Sequence, residues 1–228
     1  EAATRSSRDL DAENGTADSI TIQLNAEGKP AGYGDGEHWY YSAASGCQLD
    51  TGVFALQPSS EPEAESALKA RLFRIGDNAE LVRGTVGCKA NNYGIISGGT
   101  FQGGVNNFGT ISNGTFQRIL NNDGTVSDGI FQGEVYNHGN ISNGTFQGEV
   151  YNYGIISNGT FQGSVGNYQT ISGGTFQKPV NNYKTISGGT FQKPVYNYRT
   201  ISGGTFEEVV EMNESNEGAK IEGGTFKK

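Results

Sequence analysis

From residue 86 onward the pattern of apolar and polar positions along the chain repeats every fifteen residues. One large apolar residue marks the period: Phe101, Phe116, Phe131, Phe146, Phe161, Phe176, Phe191 and Phe206. Gly-Thr precedes each of them except Phe131, which follows Gly-Ile. A second apolar column runs Ile96, Ile111, Val126, Ile141, Ile156, Ile171, Ile186 and Ile201, and a third runs Val105, Leu120, Val135, Val150, Val165, Val180 and Val195. Between these columns stand Gly-Gly, Asn-Gly, Lys-Pro and Tyr-Gly, which are turn formers. Each period therefore splits into three short segments, "TIS", "TFQ" and "VxN", each with one inward apolar side chain. Helix is excluded, because glycine and β-branched residues recur too often for one to propagate. The pattern predicts an all-β chain folded as a parallel β-solenoid, triangular in section, with 15 residues per coil and like residues stacked in columns. A right-handed winding is expected, as for parallel crossovers in general.

The period also sets the domain boundaries. Extended backwards it falls on Val86 in "RGTVGCKA", a degenerate first coil, whereas the forward step from Phe206 to Phe226 is twenty residues. Five residues are therefore inserted near "EMNESN", and a loop is expected there. Residues 1–17 read as a disordered segment, 18–75 as a β-rich capping region, and 76–228 as the solenoid with an irregular closing coil over 207–228. Within the cap, "SITIQL" alternates as a strand and "GYGDGEHWYYSAASGCQLDTGVFAL" reads as strand, turn, strand. "SSEPEAESALKARLF" opens like a short helix, with Ser60 as N-cap and Pro62 early, before "ARLFRI" becomes extended. A cap is needed because the first coil of a solenoid otherwise exposes unpaired strand edge.

Composition sharpens the picture. With 36 glycines in 228 residues and only 34% hydrophobic residues, a conventional two-layer core is hard to build, whereas a repeat uses its few apolar side chains at fixed places. No run approaches the about 18 apolar residues that a membrane span requires, so no membrane insertion is expected in this segment. The polar opening "EAATRSSRDLDAENGTADS" reads as a mature or trimmed segment rather than a signal peptide. The net charge is −8 and the acidity concentrates in residues 1–75, which argues against nucleic acid as a partner. The only histidines are His38 and His138 and no C-x-x-C occurs, so no metal site and no cofactor is expected. Cys47 in the cap and Cys88 in the degenerate coil form a candidate disulfide, which would staple cap to solenoid and would be stable in an extracellular setting.

Several columns remain as candidates for chemistry. An asparagine stands nine places before each phenylalanine: Asn92, Asn107, Asn122, Asn137, Asn152, Asn167, Asn182 and Asn197. They are expected to form a buried amide ladder. The next column, Tyr93, Phe108, Asp123, His138, Tyr153, Tyr168, Tyr183 and Tyr198, should point outward and form an aromatic row, with Tyr136, Tyr151 and Tyr196 on the same side. Lys178 and Lys193 share one repeat position, and Lys184 and Arg199 share another. Together with Tyr153, Tyr168, Tyr183 and Tyr198 they make an aromatic and basic face that could receive a glycan or a host or bacterial surface protein.

Catalysis is poorly supported. Glu134 and Glu149 occupy one position in adjacent coils, and Asp123 and Asp128 flank one turn, but solvated surface carboxylates explain them more simply than a calcium or proton-transfer site. The outward pairs Thr110 and Ser112, Thr125 and Ser127, Thr170 and Ser172, Thr185 and Ser187, Thr200 and Ser202 are similar to the flat hydroxyl rows of ice-binding solenoids. Ile95, Asn140 and Ile155 interrupt that row, and ordinary strand surface is the simpler explanation.

The "TISGGTFQGxVxN" style of repeat over residues 91–206, with "GYGDGEHWYY…GVFAL" before it, resembles β-helical repeat regions of large cell-surface, adhesin-like proteins of Gram-positive bacteria. The resemblance carries no catalytic motif. It implies an extracellular, non-enzymatic segment that works as a rigid spacer and displays a face for adhesion. The alternatives are a fragment of a carbohydrate-active enzyme, in the manner of β-helical lyases and hydrolases, and an ice-binding solenoid.

Overall fold

The computed structural model describes residues 19–23, 48–57, 72–87, 89–213 and 218–227. The chain is an all-β parallel solenoid with about 15 residues per coil, and the described residues contain no helix. The expected disordered start at 1–17, the helical opening at 59–71 and the glycine-rich stretch at 33–46 lie outside the described residues, as do Cys47 and Cys88. The fold comprises two compact units, Glu1–Arg118 and Ile119–Lys228.

In the first unit Ser19–Gln23 pairs in parallel with Gln48–Gln57, and Gln48–Gln57 pairs in parallel with Leu72–Arg83. The cap strands therefore use the same parallel pairing as the coils. Leu72–Arg83 is long enough to serve two sides of the next coil at once. Its start pairs with Lys89–Asn92, placing Ile75 opposite Asn92, and Glu80 and Leu81 pair with Ile95 and Ile96. Phe73, Ile75, Ala79 and Leu81 are buried along it. Val86, which takes the phenylalanine position in the degenerate coil, pairs with Phe101 and is also buried.

In the second unit each period forms three short strands, illustrated by Val165–Asn167, Thr170–Ile171 and Thr175–Phe176. Their burial patterns explain why they are so short. In Val-x-Asn both outer residues point inward, and in Thr-Ile and Thr-Phe only the second does, so each strand ends on an inward side chain and the chain turns after it. The turn before Thr-Phe requires glycine. Gly159 has φ of +130°, a region closed to L side chains, and a Cβ there would lie 3.3 Å from the Phe146 ring. Register is strict: Phe146 pairs with Phe161, Phe161 with Phe176, Phe176 with Phe191 and Phe191 with Phe206. These rings are buried and stack face to face with centroids 4.7–4.9 Å apart. Such spacing is that of the strands themselves, about 4.8 Å. Burying each ring contributes roughly 2–3 kcal/mol, before the cost of ordering a glycine-rich chain.

The asparagines are fully buried. In the second unit each Nδ2 donates to the Oδ1 of the asparagine one coil on, from Asn122 through Asn137, Asn152, Asn167 and Asn182 to Asn197, at 2.7–2.9 Å. The second amide hydrogen serves the turn: Asn152 Nδ2 donates to Gly154 O and Thr170 O, both at 3.1 Å. At the far end Asn197 Nδ2 points to the Met212 sulfur, 3.4 Å away. The first unit shows the opposite end of such a ladder. Asn92 Nδ2 donates to Asn107 Oδ1, but Asn92 Oδ1 is buried against a register partner, Ile75, that has no donor to offer, and it has no hydrogen-bond partner.

The closing coil confirms where the five extra residues sit. Val210 is still one period from Val195, but Lys220, Ile221, Thr225 and Phe226 pair with Thr200, Ile201, Thr205 and Phe206. The insertion therefore falls between Met212 and Lys220.

The ladder's polarity leads to a stability prediction. Asn152→Leu removes the donor to Asn167 and the acceptor of Asn137 and should cost about 3 kcal/mol, because buried amide groups are left unpaired. Asn92→Leu also removes one donor, but it eliminates the orphaned oxygen, and its cost should stay within about 1 kcal/mol. Chemical denaturation of the two variants checks this, and equal losses would refute it.

Candidate functional site

The outward aromatic column lies where the repeat places it, beside the buried asparagines. In the second unit His138, Tyr153, Tyr168, Tyr183 and Tyr198 stack on one another with centroids 4.7–5.0 Å apart and interplanar angles of 9–16°. In the first unit Tyr93 stacks on Phe108, and the Arg74 guanidinium lies 4.9 Å from the Tyr93 centroid. Stacking decides what this column can offer. Tyr153 remains 40% exposed and Tyr183 39%, but the exposed parts are edges and hydroxyls, since the faces between rings cover each other. A flat apolar ligand cannot slide onto a ring face inside the row. The column acts as a polar comb of phenol groups. Burial and the neighbouring Tyr168 and Tyr198 hydroxyls push the Tyr183 pKa up.

The basic residues are exposed, as their spacing suggests, and they are less free than a sequence shows. Lys193 Nζ lies 2.6 Å from Glu208, the residue at the same position one coil later. The Arg199 guanidinium lies against Gly218, where it occupies the place a Cβ would take. Lys178 and Lys184 complete the two rows on the surface. The serines that follow the inward isoleucines turn back to the chain: Ser142, Ser172 and Ser187 Oγ donate to Val126, Ile156 and Ile171 carbonyls at 3.2–3.4 Å. Each of these hydroxyls thus spends its hydrogen on the preceding coil and keeps only its acceptor lone pairs for solvent.

A second outward column, in the middle of the Val-x-Asn strands, reads Asn121, Tyr136, Tyr151, Gly166, Asn181 and Tyr196. Tyr136 and Tyr151 stack at 5.0 Å, and each hydroxyl donates to the glutamate two residues before it, Tyr136 to Glu134 at 3.0 Å and Tyr151 to Glu149 at 2.8 Å. Ser164 Oγ also donates to Glu149, at 3.1 Å. The two carboxylates therefore sit side by side on one face, each engaged by a phenol, and do not oppose one another across a gap. The hydrogen bond to Glu149 and the charge of that carboxylate disfavour the phenolate, and the Tyr151 pKa is pushed up to about 12.

The stack breaks at Gly166. Tyr151 pairs with Gly166 and Gly166 with Asn181, so the ring position between Tyr151 and Asn181 is vacant. A notch of about 200 Å³ opens there, lined by Glu149, Tyr151, Ser164, Gly166, Tyr168, Asn181 and Tyr183 along with the valines beneath. Sequence reasoning missed this site because it weighed the columns that repeat. The signal was available as a deviation, a glycine in a column otherwise filled by tyrosine and asparagine.

No family model, no curated protein and no solved structure matches this chain. Among the described residues no group of three or more His, Cys, Asp and Glu side chains is placed to hold a metal ion, and no helix is long and apolar enough to cross a membrane.

The Tyr151 environment makes a testable statement. The Tyr151 phenol should titrate near pH 12 and fall towards the ordinary 10.0 in Glu149→Gln. Because the folded-state pKa is the higher one, this contact's contribution to stability is fully present below pH 10 and is lost as the pH rises towards 12. Absorbance titration of the phenolate in the two proteins reads the difference, and an unchanged value in the variant would refute the assignment.

Proposed function

We propose that this chain is a non-enzymatic segment of a bacterial cell-surface protein, a rigid β-solenoid spacer that carries an adhesive face for a glycan or a surface protein. The observation that supports the spacer reading is the self-sufficiency of the coils. In the second unit the backbone, the phenylalanines, the asparagines and the outer tyrosines all find their partners fifteen residues away, in the next coil. Such a chain lengthens by adding coils without needing any other partner. Stiffness follows, because bending would have to open several ladders together.

The non-enzymatic reading draws on the disposition of the acids. Glu134 and Glu149 have the same orientation one coil apart, each accepting from a tyrosine, whereas acid–base hydrolysis needs two carboxylates flanking a bond. The adhesive reading draws on the rows of phenol edges beside Lys178, Lys184, Lys193 and Arg199 and on the notch at Gly166. Placement at the cell surface is an inference from the kind of repeat.

Two measurements test the two halves. Inserting one, two or three further copies of residues 185–199 should extend the particle by about 4.8 Å per copy in small-angle scattering, with no loss of thermal stability. Aggregation or non-linear growth would count against the spacer. On arrays of glycans and surface proteins, replacing Tyr153, Tyr168, Tyr183 and Tyr198 by serine should abolish the binding of the unaltered chain. The same variant should lose stability, by about 0.5–1.5 kcal/mol for each ring contact broken. Binding that survives the fourfold change would remove the aromatic face from the adhesive reading.

A further inference from the structure

We propose that the notch at Gly166 is a binding site for a neutral saccharide ring. This deepens the adhesive half of the function proposed above and rests on it. The argument begins with the glycine. Gly166 lies inside a strand, where glycine destabilises relative to a residue with a side chain, and such positions often mark the close approach of a ligand. Its backbone does not require glycine: unlike Gly159, it is not among the residues with positive φ. No backbone atom bars a side chain there: a Cβ would press on the edge of the Tyr168 ring at 3.2 Å, which would have to give by a few tenths of an ångström, and would lie in ordinary contact with Tyr151 at 3.7 Å. What the glycine does is leave a ring-sized gap in an aromatic column.

The gap has the chemistry of a sugar site. Tyr136 covers one face of Tyr151, and the other face opens over Gly166. It can take the apolar C–H face of a pyranose, which the rings of the self-stacked column cannot. Around it converge groups that bond hydroxyls: the Glu149 carboxylate, Ser164 Oγ, the Asn181 amide and the phenols of Tyr168 and Tyr183. Glu149 is held in place from both sides, its Oε2 by Tyr151 and its Oε1 by Ser164, and each oxygen keeps a lone pair for a sugar hydroxyl. One apolar face with a few fixed polar groups is the usual make-up of a small-ligand site. The carboxylate also sets the charge of the ligand. Glu149, with Glu134 one coil away, repels uronic and sialic acids, and no cationic side chain lines the notch to offset that. A small organic cation is less well served, because it would be held by one ring face where a cage uses several.

The test uses the full chain and a defined panel: the methyl glycosides of glucose, galactose and mannose, N-acetylglucosamine, glucuronic acid and choline, with binding read by saturation-transfer NMR and titration. A neutral sugar should bind, with contacts concentrated on Tyr151. Gly166→Tyr, which continues the Tyr136–Tyr151 stack with a residue the column already uses, should fold and weaken binding at least tenfold. Glu149→Gln, which keeps the shape and removes the charge, should weaken neutral-sugar binding and reduce the discrimination against glucuronic acid. Binding undiminished in a folded Gly166→Tyr chain overturns the proposal, as does preference for glucuronic acid or choline. A chain that binds none of the sugars but still binds a surface protein through Tyr153, Tyr168, Tyr183 and Tyr198 also overturns it, and leaves adhesion itself standing.

Discussion

Everything in this protein depends on one distance, the spacing between hydrogen-bonded parallel strands. At about 4.8 Å it is set by the backbone, and it happens to suit two side-chain interactions as well. Aromatic rings one coil apart come to rest with centroids 4.7–5.0 Å apart, and asparagine amides come within 2.7–2.9 Å of the next carbonyl oxygen. A residue placed at the same point of successive coils therefore meets a copy of itself in a favourable geometry without adjusting. The fifteen-residue period is the sequence's way of keeping that coincidence in register, and a step of any other length has to be absorbed locally, between strands from Met212 to Lys220 and within the strand Leu72–Arg83 between Ile75 and Glu80.

The same coincidence sets the limits of the stack. Rings have two equivalent faces, so a ring column can end on anything flat or cationic, as Tyr93 ends on Arg74. Amides are directional. Each asparagine donates forward along the chain, so one end of a ladder presents an unused acceptor and the other an unused donor. Asn92 Oδ1 has no partner, and Asn197 Nδ2, which also donates to the Arg199 and Lys220 carbonyls, meets a thioether, a weak acceptor, where the next amide oxygen would stand. Terminal coils are thus the weak points of the design for a polar reason in addition to the usual exposure of apolar side chains, here Ile221 and Phe226.

How much of this is legible in the sequence follows from the same logic. The inward columns are readable because a coil admits only one kind of residue at each of those places, and the period repeats Phe, Ile, Val and Asn with few exceptions. That the outer tyrosines point outward is readable from their neighbours, but that they cover each other's faces is not, because it depends on ring orientation. The partner of Lys193 was readable at the same spacing as everything else, fifteen residues on at Glu208, although attention to the row of like charges hides it. Leu72–Arg83 was harder. It has no Thr-Phe, and its one corner signal, Gly76-Asp77-Asn78, lies inside what folds as a single continuous strand, so its length hides that it spans two sides of a coil; the orphaned amide of Asn92 follows from the Ile75 that this strand places opposite it.

For a repeat of this kind, periodicity and function pull apart. A group that recurs in every coil is satisfied by its own copies: phenol faces by phenols, amides by amides, a lysine by the glutamate that replaces it in the next turn. Free chemistry arises where the repeat fails to supply the copy. At Gly166 the missing ring leaves one face of Tyr151 uncovered and a space bounded by polar groups that the neighbouring coils still provide. The repeated residues build a scaffold stiff enough that such a gap does not collapse, since the strands on both sides remain paired at Val165 and Asn167. In a solenoid whose surface is mostly self-satisfied, departures from the consensus are where recognition has to be sought.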